Sequence, residues 1–306
     1  MSNLLLLQVL NGAQFGILLF LVAAGLTLVF GIMDFINLAH GVLYMVGAYL
    51  MASLSAVTGS FWLGLLLTLP ATMLVGLVLE VAIFRRLYDR PHLDQVLATF
   101  ALVMILSEGV KIIWGAAPLN VSMPELLSGS IPLAGPIRFP IYRLAIIAAG
   151  LATAFGLWFV IGRTRIGMLL RAGAHDRAMV SALGVDIGRL FMLVFAFGAM
   201  LAGFAGAIVS PILSVDPGMG DQILILGFVV IVIGGVGSIR GAFIASLLVG
   251  IIDTVGRIFG PIVLKMVLDL DAAMQAGRTV APMLVYILMA AILCWRPNGL
   301  FGRATA

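Results

Sequence analysis

Residues 1–33 carry no charge, Asp34 stands alone, and residues 35–79 carry none again. A run of that length cannot present a solvated face to water, so the chain is read as a protein of the bilayer. Composition agrees: hydrophobic residues make up 63% of the 306, and charged residues only 10%, against about 25% in an ordinary globular chain. Glycine, at 36 residues, is in excess, which in an apolar protein points to close helix packing. The net charge of +4 is small and dispersed; it argues against nucleic acid and fits loops anchored on the cytoplasmic side. The single cysteine, Cys294, cannot close an intrachain disulfide. No basic stretch precedes the first apolar segment, so residues 4–31 are read as retained membrane helix rather than a signal peptide.

About 20 helical residues cross the hydrocarbon layer. Spans are expected near 12–32, 38–57, 61–84, 95–114, 141–161, 190–210, 222–238, 241–258 and 279–295. The fold class is therefore an all-α polytopic membrane protein of eight or nine passes, one transmembrane domain over 1–306. The seventh stretch ends in Gly234, Gly235 and Gly237. Glycines at membrane depth suggest a broken or half helix beside protein or a water-filled path. Small residues recur every four positions at Gly198, Ala202, Gly206 and Ser210, and again at Ala242, Ser246, Gly250 and Thr254. Such stripes are expected to serve helix packing.

Orientation follows from the arginines. If Arg85, Arg86 and Arg90 are cytoplasmic, alternation also places Arg163, Arg165, Arg171, Arg177 and Arg189 inside, with Arg240, Arg296 and Arg303. Nine passes then put the N-terminus outside and the C-terminus in the cytoplasm, whereas eight would bring the N-terminus inside.

Several chemistries lack their residues. No phosphate-loop motif is present, and Gly235 to Ser238 has neither the lysine nor the strand-to-helix context for one. His40, His92 and His175 sit in no metal-ligand spacing. No serine occupies a nucleophile elbow. Enzyme, metal and cofactor roles are not expected.

Ionisable groups at membrane depth are expensive unless paired or wetted, and so point to function. Asp34, Asn37, His40 and Gly41 fall together between two spans, and Glu80 ends the third. Glu108 with Lys111, and Asp253 with Arg257, are spaced to meet on one helix face. The loop 162–189 alternates basic and small residues, and Met168 to Leu183 allows one short amphipathic surface helix. Its small residues and closing Gly184 leave a shallow face suited to a soluble partner.

With the run from Phe30 to Gly41 (Phe-Gly-Ile-Met-Asp-Phe-Ile-Asn-Leu-Ala-His-Gly), the run from Tyr44 to Tyr49, the Arg171 to Gly184 loop and the run from Gly234 to Ala242, nearly the whole chain resembles the permease subunits of ABC importers for branched-chain amino acids. The loop departs from the broader importer signature, having no Glu-Ala-Ala triplet. The resemblance implies the fold of the second importer type, with a broken helix near Asn37 to Gly41. It implies a subunit of the bacterial inner membrane working with a second permease, two cytoplasmic ATPase subunits and a periplasmic binding protein. It assigns Asp34, Asn37, His40, Gly41, Gly234, Gly235 and Gly237 to the path or a broken helix, and Arg171, Ala174, Ala178, Ala182 and Gly184 to ATPase coupling. Similar systems carry urea, amides or aromatic acids, since the binding protein selects the substrate. An ion-coupled secondary transporter is the rival reading, with Asp34, His40, Glu80 or Asp253 titrating.

Overall fold

The computed structural model describes residues 2–134, 137–266 and 269–302; Arg303, counted above among the cytoplasmic arginines, lies outside them. In chain order the elements are α1 (Ser2–Met33), α2 (His40–Thr58), α3 (Phe61–Ala82), α4 (His92–Trp114), the antiparallel hairpin β1 (Ser130–Ala134) and β2 (Ile137–Pro140), α5 (Ile141–Arg163), α6 (Arg165–His175), α7 (Arg177–Ala182), α8 (Ile187–Val209), α9 (Met219–Gly234), α10 (Ile239–Leu264) and α11 (Leu270–Trp295). In the hairpin, Ser130 pairs with Pro140 and Ile131 with Phe139.

Among the described residues, eight helices, α1 to α5, α8, α10 and α11, are long and apolar enough to cross a membrane. The seventh expected span, 222–238, is the 16-residue α9, which stops at Gly234. Its length of about 24 Å falls short of the hydrocarbon layer. Expected boundaries move where polar residues join a helix: α1 begins at Ser2 and α11 at Leu270, before the charges that had placed its start near 279.

Polar side chains start several of these helices. Ser60, Asp186 and Ser238 accept hydrogen bonds from the backbone amides of Leu63, Arg189 and Gly241, capping α3, α8 and α10. Gly59 ends α2 in a left-handed conformation, φ 64°.

The chain forms two compact units. One comprises residues 21–124 and 152–227, with α2, α3, α4, α6, α7 and α8 whole. Its segment of α1, apolar but for Thr27, is buried over 21–29, with Leu21, Val22, Ala23, Ala24 and Leu26 sealed from solvent. Small residues let the neighbouring backbones touch. A Cβ on Gly47 would stand 2.2 Å from the Gly203 Cα, and one on Gly206 would stand 2.0 Å from the Tyr44 carbonyl oxygen. In the stripe on α8, Gly206 thus meets α2 and Gly198 meets α1 at Gly25, so the stripe serves packing, as expected. Gly206→Ala forces these backbones apart, and overpacking of this kind costs about 1–3 kcal/mol. A lower thermal midpoint of the solubilised protein is the expected result; an unchanged midpoint would contradict the seam.

The other unit comprises residues 1–20, 125–151 and 228–306. Here Gly12 and Gly16 of α1 meet the backbone of Ser246 to Ile251 on α10, so the second stripe is also a packing seam. Gly256 of α10 receives Leu284 of α11, and Gly277 receives Pro261.

Candidate functional site

The interruption between α1 and α2 organises one end of the larger unit. Met33 closes α1, and Asp34 follows with φ 49°, a left-handed conformation rarely adopted by a side-chain-bearing residue. Phe35 is sealed between Phe84 and Tyr88, with ring centroids 5.5 Å away in each case. The backbone amide of Ile36 donates to the Gln95 Oε1 at 3.2 Å, while the Gln95 amide donates to the carbonyls of Leu87 and Arg90. One buried amide side chain thus ties the interruption to the loop between α3 and α4.

From there the chain runs back along α1. The His40 ring lies against Gly25, and its Nε2 is 3.2 Å from the carbonyl oxygen of Val22. Val22 lies eleven residues before Met33, a helical distance of about 16 Å. The start of α2 therefore stands beside the middle of α1. Gly41 is required there, because a Cβ would meet the Gly220 carbonyl oxygen at 2.4 Å at the first turn of α9. Asn37 and His40 are fully buried. Both amide atoms of Asn37, the Nδ1 of His40 and the hydroxyl of Thr27 have no hydrogen-bond partner. Each such group costs about 1–3 kcal/mol.

Beside this segment Glu80 is buried at the end of α3. It accepts from the Tyr88 hydroxyl at 3.2 Å and stands 3.5 Å from the Arg85 guanidinium. Burial, then the Glu80 charge, push the Tyr88 hydroxyl above its ordinary range, so it remains a donor.

The loop 162–189 forms two short helices rather than the one expected from Met168 to Leu183. The divider is Asp176, whose extended backbone ends α6 while its carboxylate accepts from the amide of Met179 to cap α7. Gly184 ends α7 at φ 85°; its amide bonds the Ser181 carbonyl and the Val185 amide bonds that of Val180, a Schellman closure. Arg171, Ala174, Ala178, Ala182 and Gly184 are all exposed, whereas Leu170, Gly173 and Val180 are buried. Arg171 donates to the Ile161 carbonyl. Arg177 donates to the Met33 carbonyl, and its guanidinium lies 5.0 Å from the Phe191 ring centroid.

These contacts bring the 34–41 segment, the arginine-bearing loop after α3 and the 162–189 loop to one end of the unit. At the other end of the same helices, Leu119 and Val215 exchange backbone hydrogen bonds, and the Trp114 indole donates to Ser53.

Gly234, Gly235 and Gly237 belong to the other unit. Gly235 and Gly237 have φ 94° and 78°, which a side chain would strain. Gly234 admits the backbone of Gly241, and Gly235 admits that of Gly302. The amides of Leu300 and Phe301 bond the carbonyls of Ile233 and Gly234, so the segment after α11 clamps the end of α9. The expected ion pairs form: Lys111 to Glu108 at 2.6 Å, and Arg257 to both carboxylate oxygens of Asp253 at 2.7 and 2.9 Å.

Sequence reasoning missed Gln95, Tyr88, Phe35 and Gly220. Gln95 carried a faint signal as an amide in the first turn of an apolar helix; the others carried none. A cavity of about 330 Å³ between α3, α5 and α8 is walled by Leu69, Leu157, Val160, Phe197 and Met200. It lacks the convergent polar groups of a recognition site. Among the described residues, no group of three His, Cys, Asp or Glu is placed to hold a metal ion.

Comparison with known proteins agrees with this architecture. The family described as branched-chain amino acid transport system, permease component, matches residues 8–294. The high-affinity branched-chain amino acid transport system permease protein BraD of Pseudomonas aeruginosa is 29% identical over 97% of this chain and 95% of its own. The corresponding permease protein LivH of Escherichia coli K12 is 28% identical over 82% and 86%. A ribose import permease of Haemophilus influenzae is 24% identical over 72% and 70%. No solved structure matches. Matched over nearly its whole length, the chain belongs to the family of permease components of branched-chain amino acid transport systems.

Proposed function

We propose that this chain is a membrane-spanning subunit of an ABC importer in a bacterial inner membrane, passing branched-chain amino acids handed over by a periplasmic binding protein. A second permease completes the path, and two cytoplasmic ATPase subunits drive it. The exposed face formed by Arg171, Ala174, Ala178, Ala182 and Gly184 takes the ATPases. The segment Asp34, Asn37, His40 and Gly41 breaks the helix at membrane depth and is the part that rearranges. Gly234, Gly235 and Gly237 form a second interruption bordering the path.

The observation that carries this reading is the coexistence, at one end of one unit, of an exposed small-residue surface and a buried interruption with unsatisfied polar groups. An element with such groups is poised between two arrangements, as alternating access requires.

The test is uptake by vesicles holding the purified complex. Leucine should accumulate only with ATP and the binding protein, with isoleucine and valine competing and urea and ribose not. Uptake driven by an ion gradient without ATPases would overturn the assignment. Topology supplies a second check. In a Cys294→Ser background, a cysteine replacing exposed Ser181 should react with an impermeant thiol reagent only from the cytoplasmic side, and one replacing exposed Ser122 only from outside. Labelling of both from one side contradicts the orientation.

A further inference from the structure

Helix α1 ends without the means to satisfy its own terminus. Its last turn holds no basic residue, and the next residue is Asp34, an anion at the negative end of the macrodipole. The cation that the terminus calls for comes from 144 residues away: Arg177 donates to the Met33 carbonyl, one of the groups that a helix end leaves unpaired. Arg177 gains nothing from its own helix, because it opens α7, where a positive charge opposes the dipole. Its placement is explained by what it holds.

The same guanidinium is stacked over Phe191. Phe191 meets Tyr88 edge-on at 5.9 Å, and Tyr88 meets Phe35 edge-on at 5.5 Å. Arg177 therefore reaches the two residues flanking Asp34 by two routes, a direct hydrogen bond to Met33 and an aromatic relay to Phe35. Alternate faces of the α6–α7 pair divide the labour: Arg171, Ala174, Ala178 and Ala182 are exposed, while Arg177 and Val180 turn towards the unit.

We infer that Arg177 is the positioning residue through which α7 holds the end of α1 and sets the Asp34–Gly41 segment, so that displacement of α7 by a bound ATPase moves that segment. The inference rests on the proposed importer function and names the residue that couples its two halves. The bistable element is the segment itself, with Asp34 in a left-handed conformation and Asn37 and His40 buried without full partners.

The experiment compares Arg177→Met, Arg177→Lys and Phe191→Leu in the complete complex with its ATPases and binding protein in vesicles. Arg177→Met should keep its ATPases and basal hydrolysis, while uptake falls about tenfold and the ATP hydrolysed per amino acid imported rises in proportion, within the usual span of coupling free energies. Arg177→Lys, which can still cap the Met33 carbonyl, should recover most of that loss. Parental uptake and parental stoichiometry in Arg177→Met overturn the inference, as does Lys performing no better than Met. Loss of the ATPases from Arg177→Met also overturns it, by making Arg177 part of the docking face. If Arg177→Met fails to insert, Phe191→Leu decides: a raised ATP cost supports the relay, and a parental one overturns it. Failure of the parent protein to bind ATPases at all instead overturns the importer assignment.

Discussion

Asn37→Leu is expected to cut uptake about tenfold or more, a barrier increase of at least ~1.4 kcal/mol, in a protein that is no less stable than its parent. The two halves of that expectation come from one observation. Asn37 is sealed from solvent, and neither atom of its amide has a partner. A buried donor or acceptor left unmade costs about 1–3 kcal/mol, and replacing it by an apolar group of similar shape is neutral or stabilising. Leucine matches asparagine in side-chain length and in branching at Cγ, so a site that served only packing would tolerate the change at no more than a modest overpacking cost. On the proposed function, an asparagine that burdens this arrangement would find its partners in another, which the transport cycle visits and leucine would not stabilise. The measurement pairs a thermal midpoint with vesicle uptake. Undiminished uptake at an equal or higher midpoint would reduce Asn37 to ordinary packing.

Much of this arrangement was legible in the sequence, for identifiable reasons. Charge-free length marks a span because lipid admits little else, and eight of the nine expected spans are helices of spanning length. The i,i+4 stripes on α8 and α10 marked the seams because only small residues let backbones approach as closely as Gly206 and Tyr44 do. The connection at 34–39 between α1 and α2 was visible from Asp34 and Asn37 between apolar runs. The depth to which it folds back was not, because the contact of His40 with Val22 depends on the path of the chain and not on local composition. The division of the 162–189 loop at Asp176 was missed because its apolar residues fit one helical face, and a single cap residue overrode that periodicity. Gln95, Tyr88 and Arg177 owe their roles to neighbours distant in sequence, which no pattern along the chain encodes.

Ala182→Arg should release the ATPases, or uncouple their hydrolysis from uptake, without disturbing the fold. The structure favours a clean test here, since Ala182 is exposed in the last turn of α7. Gly184→Arg is the less clean companion, because its φ of 85° makes any side chain strained. A partner seated on Ala174, Ala178 and Ala182 leaves no room for a long side chain. Overpacking costs about 1–3 kcal/mol, and burying a guanidinium without a counter-ion adds a desolvation penalty. Together these weaken the complex by about tenfold or more. Co-purification of the ATPases measures release directly, and vesicle uptake measures coupling. Insertion, thermal midpoint and engagement of the binding protein should all remain parental, because those depend on surfaces that Ala182 does not share. If Ala182→Arg and Gly184→Arg both keep stoichiometric ATPases and full uptake, the exposed face of α6 and α7 is not where the ATPases act. Coupling would then have to enter elsewhere, the next candidate being the loop between α3 and α4 and the start of α4, where Tyr88 and Gln95 hold the same segment.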